Sequence, residues 1–425
     1  MKTEITRRGA LAGGTALAGA AAIGLAPGAA RAQATELTFW TWRQEDRTQY
    51  AELFKDFLAA NSGVTIKYEA FEPQNYGTVL STALAAGKGP DVIHIRAYGG
   101  TEQFAKAGYL EALSPQTVPE LANFTDSALL STSLRADKKA YAVPFASQTL
   151  GIYINTELFE KNGWKAAATW DEFLALCKSI KDKGLIPIAN GMATAFMVEV
   201  FTSIFTGPFA GAAFEGDVLS GKATFEDPRY VGALAKLLEL RDFLPPGFTG
   251  IDYPTAQQLF LSGRAAMFAG GSFEIANFRR QNPNIKMTFV APPAPKAGDP
   301  QLVSLFYDGG YAVNAKSEKK DAALKLVRFM ATPQFGTKFS SLLGNISPIK
   351  GAEITDPLLK VVAGLNATSW PYIMAVHFRF NEPTGSTLLQ QGVQKLMGGN
   401  ATPAEVAKSV TDGIATYFEP FKKKG

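Results

Sequence analysis

The stretch GKGPDVIHIRAYGG (Gly87–Gly100) combines a glycine-rich turn, a proline and a continuous apolar run that ends at Arg96. A short apolar run bounded by turn residues is typical of a strand that is buried on both faces of a parallel sheet. Helical patterns stand on both sides of it, in YGTVLSTALAAGKG (76–89) and GGTEQFAKAGYLEAL (99–113). The succession predicts a strand between two helices, with Arg96 and Tyr98 emerging at the carboxyl end of the strand.

The same alternation extends toward the N-terminus. ELTFWTW (36–42) and VTIKYEAF (64–71) predict strands, and RTQYAELFKDFLAANSG (47–63) predicts a helix between them. Strands that alternate with helices indicate an α/β fold with a mostly parallel sheet.

Beyond Ser114 the regular alternation ends. We predict two short strands around Pro144, then a helix in TWDEFLALCKSIKDKG (169–184) with Thr169 and Glu172 as a capping box, and a buried strand in LIPIAN (185–190). Mostly helical segments follow up to AAMFAGGSFEIANFRRQ (265–281), and strands are predicted in IKMTFVAPPAP (285–295) and YDGGYAVNAKS (307–317). The rest is predicted to be helical, with a stretch in 317–344 broken near Pro333 and a helical C-terminal region.

The N-terminus predicts an export signal over residues 1–34. It has a charged start with Arg7 and Arg8, an Ala/Gly/Leu-rich middle, and small residues before cleavage after Ala32 or Ala34. The arginine pair favours the twin-arginine route and a periplasmic protein. A retained membrane anchor is the alternative, disfavoured because the segment is rich in glycine and alanine. The signal holds four basic residues and one acidic residue, so its cleavage removes most of the net charge of +4. The rest of the chain then has no strongly basic character that would indicate nucleic-acid binding.

The remaining chain is long enough for two domains of about 100–200 residues each. Catalytic and metal-binding signatures are scarce, since the only histidines are His94 and His377 and the only cysteine is Cys177, in a helical apolar pattern typical of a core. Asp91 is better explained as a cap at the start of its strand than as a catalytic acid. We therefore predict no catalytic residue, no metal and no cofactor.

Polar and aromatic residues cluster just past the ends of predicted strands. Trp42, Arg43, Gln44 and Glu45 follow the first strand, Arg96 and Tyr98 follow the third, and Asn190 follows LIPIA. In open α/β sheets ligands bind beyond the carboxyl ends of the strands, so these residues are predicted to share one cleft. Aromatic faces and planar polar groups suit a polyhydroxylated ligand. The alternative is that the aromatic residues belong to the core and the charges to the solvated surface.

The motifs taken together resemble a known family, the extracellular solute-binding proteins of ABC importers, in the branch that includes maltose-binding protein. The resemblance spans essentially the whole chain, and it depends on the order and spacing of the export signal and of these motifs: LTFWTW; AAGKGPDVIHI with FAKAGYLEAL; YAVPFASQTLGIYINTELFEKNG; TWDEFLALCKSI; FLSGRAAMFAGGSFEIANF; and DGGYAVNAKSEKKDAALKLVRFMATPQF with GNISPIKG.

The resemblance implies a periplasmic-binding-protein-like fold of two α/β lobes joined by three hinge crossings, with a ligand cleft between them. The crossings are expected near 143–147, 305–309 and 344–348. One lobe then comprises 35–143 with 308–344, and the other 147–305 with 349–425. The lobes close on the ligand, no bond chemistry occurs, and the closed form docks on the permease subunits of an importer. A monomer is the family's default state.

The resemblance also assigns ligand contacts by position. These are Trp42, Arg43, Gln44 and Glu45; Arg96 and Tyr98, with Ile95 and Ala97 beside them; Gln148; Asn190; Ser272 or Phe273, where relatives often carry a stacking tryptophan; Asp308, Gly309 and Gly310; and, in the late helical region, Arg379, with Trp370 and His377 as further candidates.

Three alternatives stay open at this point. Arg43, Arg96 and Arg379 leave room for an anionic ligand, such as a sugar acid or a phosphorylated polyol, beside a neutral sugar. A secreted carbohydrate-active enzyme, a glycoside hydrolase or lyase, would use two carboxyl groups at a fixed separation across a cleft. A binding protein that signals to a receptor would share the features of one that serves a permease.

Overall fold

The structure, a computed structural model, describes residues 34–73 and 75–422. The predicted export signal therefore lies outside the described residues, apart from Ala34. The strands are β1 (Thr35–Thr41), β2 (Val64–Ala70), β3 (Val92–Arg96), β4 (Val143–Pro144), β5 (Ser147–Asn155), β6 (Ile186–Ile188), β7 (Ala265–Gly271), β8 (Met287–Val290), β9 (Val303–Tyr307), β10 (Gly309–Val313) and β11 (Ser369–Pro371).

Helices cover the faces of the sheets, as an α/β layer requires. They are α1 (Arg47–Leu53), α2 (Lys55–Ala60), α3 (Tyr76–Ala85), α4 (Gly99–Lys106), α5 (Asp126–Leu130), α6 (Thr156–Asn162), α7 (Trp170–Asp182), α8 (Ala195–Ala210), α9 (Phe214–Leu219), α10 (Pro228–Glu239), α11 (Tyr253–Leu261), α12 (Glu274–Gln281), α13 (Lys320–Phe329), α14 (Pro333–Leu343), α15 (Pro357–Leu365), α16 (Ile373–His377), α17 (Gly385–Met397) and α18 (Pro403–Ala415).

The first sheet has the strand order β2-β1-β3-β10-β4. Strand β1 runs parallel to β2 and β3, as the alternating sequence predicts, whereas β10 is antiparallel to β3 and β4. Its core contains Phe39, Tyr50 and Tyr311, and the hydroxyl groups of the two tyrosines are hydrogen bonded at 2.6 Å. Asp91 accepts bonds from the backbone and hydroxyl of Thr38, so it joins β1 to the start of β3 as a structural residue.

The second sheet has the order β11-β9-β5-β7-β6, with β8 also paired to β5. Its core is the larger of the two and gathers aromatic side chains such as Trp170, Tyr153 and Phe201 around the nearly all-buried helix α8. Helix α7 begins at Trp170 behind the predicted capping box of Thr169 and Glu172. Cys177 is buried on that helix, as predicted.

The two sheets with their helices form a first lobe and a second lobe. The chain passes from the first to the second between Pro144 and Ser147, and it returns between Tyr307 and Gly309. Near the third predicted passage, 344–348, Ile346 packs in the second core and pairs with Ser147 of β5. The chain then contacts the first core again at Ile349 before Ile354 packs against the second. None of the helices in the described part of the chain is long and apolar enough to cross a membrane.

Candidate ligand-binding cleft

A cavity of about 980 Å³ lies between the two lobes, where β1 and β3 of the first lobe and β7 and β9 of the second end. This volume is near the upper end of the range of about 300–1,000 Å³ that small-molecule sites occupy. Eight residues predicted as ligand contacts line it: Trp42, Arg43, Glu45, Arg96, Tyr98, Phe273, Asp308 and Arg379. The strand ends thus meet at one place, as the open-sheet rule implies.

Arg96 sits at the end of β3 with its guanidinium carbon 3.7 Å from the centroid of the Trp42 ring. Its nearest carboxylate is that of Asp308, at 3.7 Å, which is beyond hydrogen-bonding distance. The guanidinium forms no hydrogen bond with any described residue, and 45% of the side chain is open to solvent. Arg96 therefore presents its N–H groups to the cleft.

Trp42 has a different position from the one predicted for a stacking residue. Only 4% of it is exposed, and its ring also packs on that of His94, with centroids 4.0 Å apart. Burial, together with the charges of Arg43 and Arg96, lowers the pKa of His94 well below its usual value, so this histidine is neutral. Trp42 thus supports Arg96 from the core side of the cleft.

Asp308 lies in the turn between β9 and β10, at the second passage between the lobes. Its backbone N–H donates to the carbonyl of Ala146 in the first passage, at 3.0 Å. Burial raises the pKa of this carboxyl, and the positive charges of Arg96, Arg43 and Arg379 oppose that rise. One carboxylate at the junction of the lobes therefore faces three arginines.

Two of these arginines are hydrogen bonded to other carboxylates. The Nε atom of Arg43 lies 2.6 Å from Asp46 on the first lobe. On the second lobe Arg379 contacts both oxygens of the buried Glu199 at 3.1 Å, and its Nε donates to Ser386 at 2.6 Å. Burial alone would lower the pKa of Arg379, but Glu199, Tyr372 and Asp308 together outweigh burial and raise the pKa. Both guanidinium charges are compensated within their own lobes.

Tyr98 joins the cleft to the second passage through a strained backbone. Its φ of 55° lies in a region that residues with a side chain rarely adopt, and its hydroxyl accepts a hydrogen bond of 3.1 Å from the backbone N–H of Tyr307. Strain of this kind costs about 1–3 kcal/mol and persists only where surrounding contacts enforce it.

The second lobe contributes a wall that the sequence reasoning missed. Glu274, the first residue of α12, is fully buried and accepts hydrogen bonds from the hydroxyl of Tyr253 at 2.6 Å and from Gln257 at 2.8 Å. Burial raises its pKa to about 7, although these hydrogen bonds act to lower it. Phe196 packs edge-on against Tyr253 and remains 43% exposed. Recognition of β7 as a strand would have pointed to Glu274, since Glu274 comes three residues after Gly271, where the strand ends.

Six predicted contacts do not line the cavity, and two of them are engaged away from it. Gln44 is exposed and donates to Glu72 at 3.2 Å. The side-chain amide of Asn190 makes two hydrogen bonds with the backbone of Ala269, at 2.7 and 2.8 Å, so it joins the end of β6 to β7. A polar residue that follows a strand can thus be hydrogen bonded to the neighbouring strand instead of to a ligand.

The other four hold the passages between the lobes. Gln148 is buried and accepts from the hydroxyl of Ser272 at 2.7 Å while donating to Asn345 at 3.0 Å. Gly309 and Gly310 bring backbones together, because a Cβ on them would lie 2.3 Å from the carbonyl oxygen of Ile95 and 2.7 Å from that of Val143.

The candidate ligand contacts from the late helical region also divide into those that line the cavity and those that do not. The indole N–H of Trp370 donates to Ser304 at 2.7 Å within the second core, and His377 pairs with Glu215 at 2.7 Å. Neither lines the cavity, whereas Arg379 does. Among the described residues, no group of three or more His, Cys, Asp and Glu side chains is placed to hold a metal ion.

Comparison with known proteins agrees with this architecture. The family model described as bacterial extracellular solute-binding protein matches residues 41–336, well over half of the chain. The chain belongs to that family. The resemblance drawn from the sequence motifs is thereby confirmed, and the family is one of binding proteins.

Relatives of this solute-binding protein include the multiple sugar-binding protein of Streptococcus mutans, 24% identical over 408 residues, which are 91% of this chain and 90% of the relative. The maltotriose-binding protein of Pyrococcus abyssi is 24% identical over 337 residues, 76% of this chain and 69% of the relative. Among solved structures, a chitin oligosaccharide binding protein has a TM-score of 0.75 at 24% identity, covering 90% of this chain and all of the other. A solute-binding protein in complex with raffinose has a TM-score of 0.72 at 22% identity, covering 91% and 100%. These structures confirm the predicted fold.

Proposed function

We propose that this solute-binding protein captures a neutral sugar or oligosaccharide in the cleft by closure of its lobes and delivers it to the permease of an ABC importer. The observation that carries the proposal is the pair of Arg96 and Asp308. The two groups face the same cavity, yet at 3.7 Å they are not hydrogen bonded to each other.

A sugar suits this pair because each hydroxyl group both donates and accepts hydrogen bonds. Arg96 supplies donors in a fixed fork, and Asp308 supplies acceptors beside it. Phe196 and Phe273 add apolar surface from the second lobe for the C–H faces of a sugar ring. A cavity of about 980 Å³ leaves room for more than one sugar unit.

The charges favour a neutral ligand over a sugar acid. Of the four arginines that line the cavity, Arg43 and Arg379 already have carboxylate partners and Arg280 donates to Asn277. Arg96 forms no hydrogen bond with a described residue and has Asp308 beside it. An added carboxylate would be attracted by Arg96 but repelled by the nearby Asp308. The names of the relatives point the same way, since maltotriose and raffinose are neutral sugars.

The remaining parts of the proposal depend on the sequence. Export by the twin-arginine route, a periplasmic location, a monomeric state and docking on permease subunits fit the signal-like N-terminus and the family. The alternative of a secreted glycoside hydrolase or lyase gains no support, because the family and its named relatives are binding proteins. No observation favours a receptor-linked sensor over a transport protein.

A thermal-shift panel followed by calorimetric titration tests the proposal. The panel contains raffinose, maltotriose and chitin oligosaccharides, with galacturonate and glucuronate matched to galactose and glucose. We expect a neutral sugar to raise the melting temperature, since a ligand at 100 times its Kd adds about 2.7 kcal/mol. Binding of the uronates alone would contradict a neutral ligand, and new reducing ends after incubation would contradict a pure binding protein.

A further inference from the structure

The two lobes also touch at the edge of the cleft, away from the three passages. Helix α4 of the first lobe begins at Gly99, and the segment Phe378–Thr384 connects α16 to α17 in the second lobe. A Cβ on Gly99 would lie 2.0 Å from the carbonyl oxygen of Arg379 and 3.2 Å from the Cα of Phe380, against 3.4 Å for ordinary contact. The backbones of the two lobes therefore approach so closely here that residue 99 has no room for a side chain.

A second contact lies beside the first. The guanidinium of Arg135, on the first lobe, is 3.6 Å from the centre of the Phe380 ring on the second. Glu102 of α4 holds that guanidinium with two bonds, of 2.7 and 3.0 Å. We call the contacts of Gly99 and Arg135 with Arg379 and Phe380 the cleft-edge contact.

Each side of the cleft-edge contact is anchored in its own lobe. Helix α4 packs on β3 of the first sheet, whereas Phe378 is buried in the second core against Phe225 and Phe418. Separation of the lobes would therefore break the contact without disturbing either core. Gly100, Arg379 and Thr384 also line the cavity, so the contact borders the place where a ligand would lie.

We propose that Gly99 is a positioning residue: its missing side chain lets the lobes close at the cleft edge and fixes Arg379 opposite Arg96 and Asp308. The inference rests on the proposed closure of the lobes. Arg379 carries both parts of it, because its carbonyl meets Gly99 while its side chain enters the cleft. A side chain at residue 99 would hold the lobes apart and displace the guanidinium from the ligand.

The substitution Gly99→Ala isolates this role from folding. Gly99 is the first residue of α4 and has no positive φ, so alanine suits the backbone there and improves helix propensity. The three atoms nearest to the added Cβ all belong to the other lobe. Gly77→Ala on α3 is the matched control, since a Cβ at that helical glycine of the same lobe meets nothing within 4 Å.

The test measures the distance between the lobes without any sugar. Spin labels on Gln103→Cys of α4 and Gln391→Cys of α17 report it by electron resonance, and the buried Cys177 does not compete for the label. We expect Gly99→Ala to lengthen the distance by more than about 2 Å, the scale of a domain rearrangement, and Gly77→Ala to leave it unchanged. Phe380→Ala is a second variant, expected to broaden the distribution toward longer distances by removing the Arg135 contact without a clash.

Amide exchange gives a second readout. In Gly99→Ala we expect faster exchange across residues 378–384 and unchanged exchange in α7, which lies far from the contact. Distances and exchange equal to wild type in both Gly99→Ala and Phe380→Ala would overturn the inference. Neither measurement needs a ligand. A longer distance in Gly99→Ala together with a sugar panel in which nothing binds the wild type would therefore support the contact and count against the proposed function alone.

Discussion

At the scale of single residues, the guanidinium of Arg96 lies between the Trp42 ring and the Asp308 carboxylate with its N–H groups directed to the cleft. A cation over an indole ring gains about 0.5–2 kcal/mol, which fixes the plane of the guanidinium without using its hydrogen atoms. A ligand can therefore accept these hydrogen bonds without first breaking others. Arg43 and Arg379 differ, because part of each guanidinium already donates to a carboxylate.

We expect Arg96→Ala to weaken sugar binding about 10-fold or more, which corresponds to a lost charged hydrogen bond of about 1.5–3 kcal/mol. Arg96→Lys keeps the charge but loses the fork, so it should recover only part of the affinity. Calorimetric titration measures both. Arg328→Ala, which removes an arginine paired with Glu120 outside the cleft, is the control. Equal affinity in wild type and Arg96→Ala would remove Arg96 from the site.

The buried Glu274 should make stability depend on pH. Its pKa is about 7 in the folded protein against 4.5 for an ordinary glutamate, so the folded state binds the extra proton between these values. Stability is then lost as pH rises from about 4.5 to 7, by up to about 3 kcal/mol from this group. Urea unfolding at several pH values measures the effect.

Glu274→Gln is the variant that checks it. Glutamine keeps the shape and still accepts a bond from Tyr253, and the amide of Gln257 can rotate to accept one in turn. The difference in unfolding free energy between wild type and variant should change with pH over this window. Parallel pH profiles would show that Glu274 does not titrate there.

Strand geometry predicts part of the cleft lining from the sequence, and the family resemblance predicts Phe273, Asp308 and Arg379. Arg43, Arg96 and Tyr98 follow strands of one parallel set, whose carboxyl ends necessarily meet at one edge. Asn190 satisfies the same positional rule, and Gln148 was assigned by its place after the first hinge, but their amides bond to Ala269 and Asn345 instead. Their partners are distant in sequence, so no local pattern distinguishes a ligand contact from a buried structural amide.

At the scale of elements, close packing of backbones explains the glycines at the second passage. Strand β10 pairs with β3 so that Gly309 lies opposite Arg96, with the Ile95 carbonyl where a Cβ would be. We expect Gly309→Ala to destabilise the protein by about 1–3 kcal/mol, because the added methyl forces the strands apart. Denaturant unfolding measures this.

Gly232→Ala is the control for that experiment. Gly232 lies within helix α10, where a Cβ meets nothing within 4 Å, so alanine should stabilise by about 0.5–1 kcal/mol. Equal stability of Gly309→Ala and wild type would mean that β3 and β10 can separate without cost.

Elements were predictable where local signals agree and were missed where they do not. The capping box at Thr169 and the apolar run of β3 each combine two independent signals, and both elements form as expected. Strand β7 reads AAMFAGG, whose small residues carry no β-branched signature, so it was not predicted. Its seven residues are all buried between β5 and β6, where small side chains fit and tertiary packing outweighs propensity.

At the scale of the whole molecule, two separate cores face each other across a cleft that charged and aromatic residues line together. The first is built around Phe39 and Tyr311, and the second around Trp170 and Tyr153. The lobes are separated there by the open cavity, which is lined by four arginines and several carboxylates together with aromatic residues, so the two cores do not pack against each other across it. Each core can therefore unfold with some independence from the other, as is common for domains of one chain.

Scanning calorimetry should detect this independence and its loss on binding. Without sugar, we expect the calorimetric enthalpy of unfolding to exceed the van't Hoff enthalpy, because the lobes do not melt as one unit. A saturating sugar contacts both lobes and binds only when both are folded, so it should raise the melting temperature and bring the two enthalpies together. Arg96→Ala at the same sugar concentration should show a smaller change in both quantities, which separates ligand coupling from a general effect of the solution. A single two-state transition in the absence of sugar would mean that the two cores are already coupled by the passages at 144–147 and 307–309 and by the cleft-edge contact. Closure of the lobes would then cost the protein little conformational entropy.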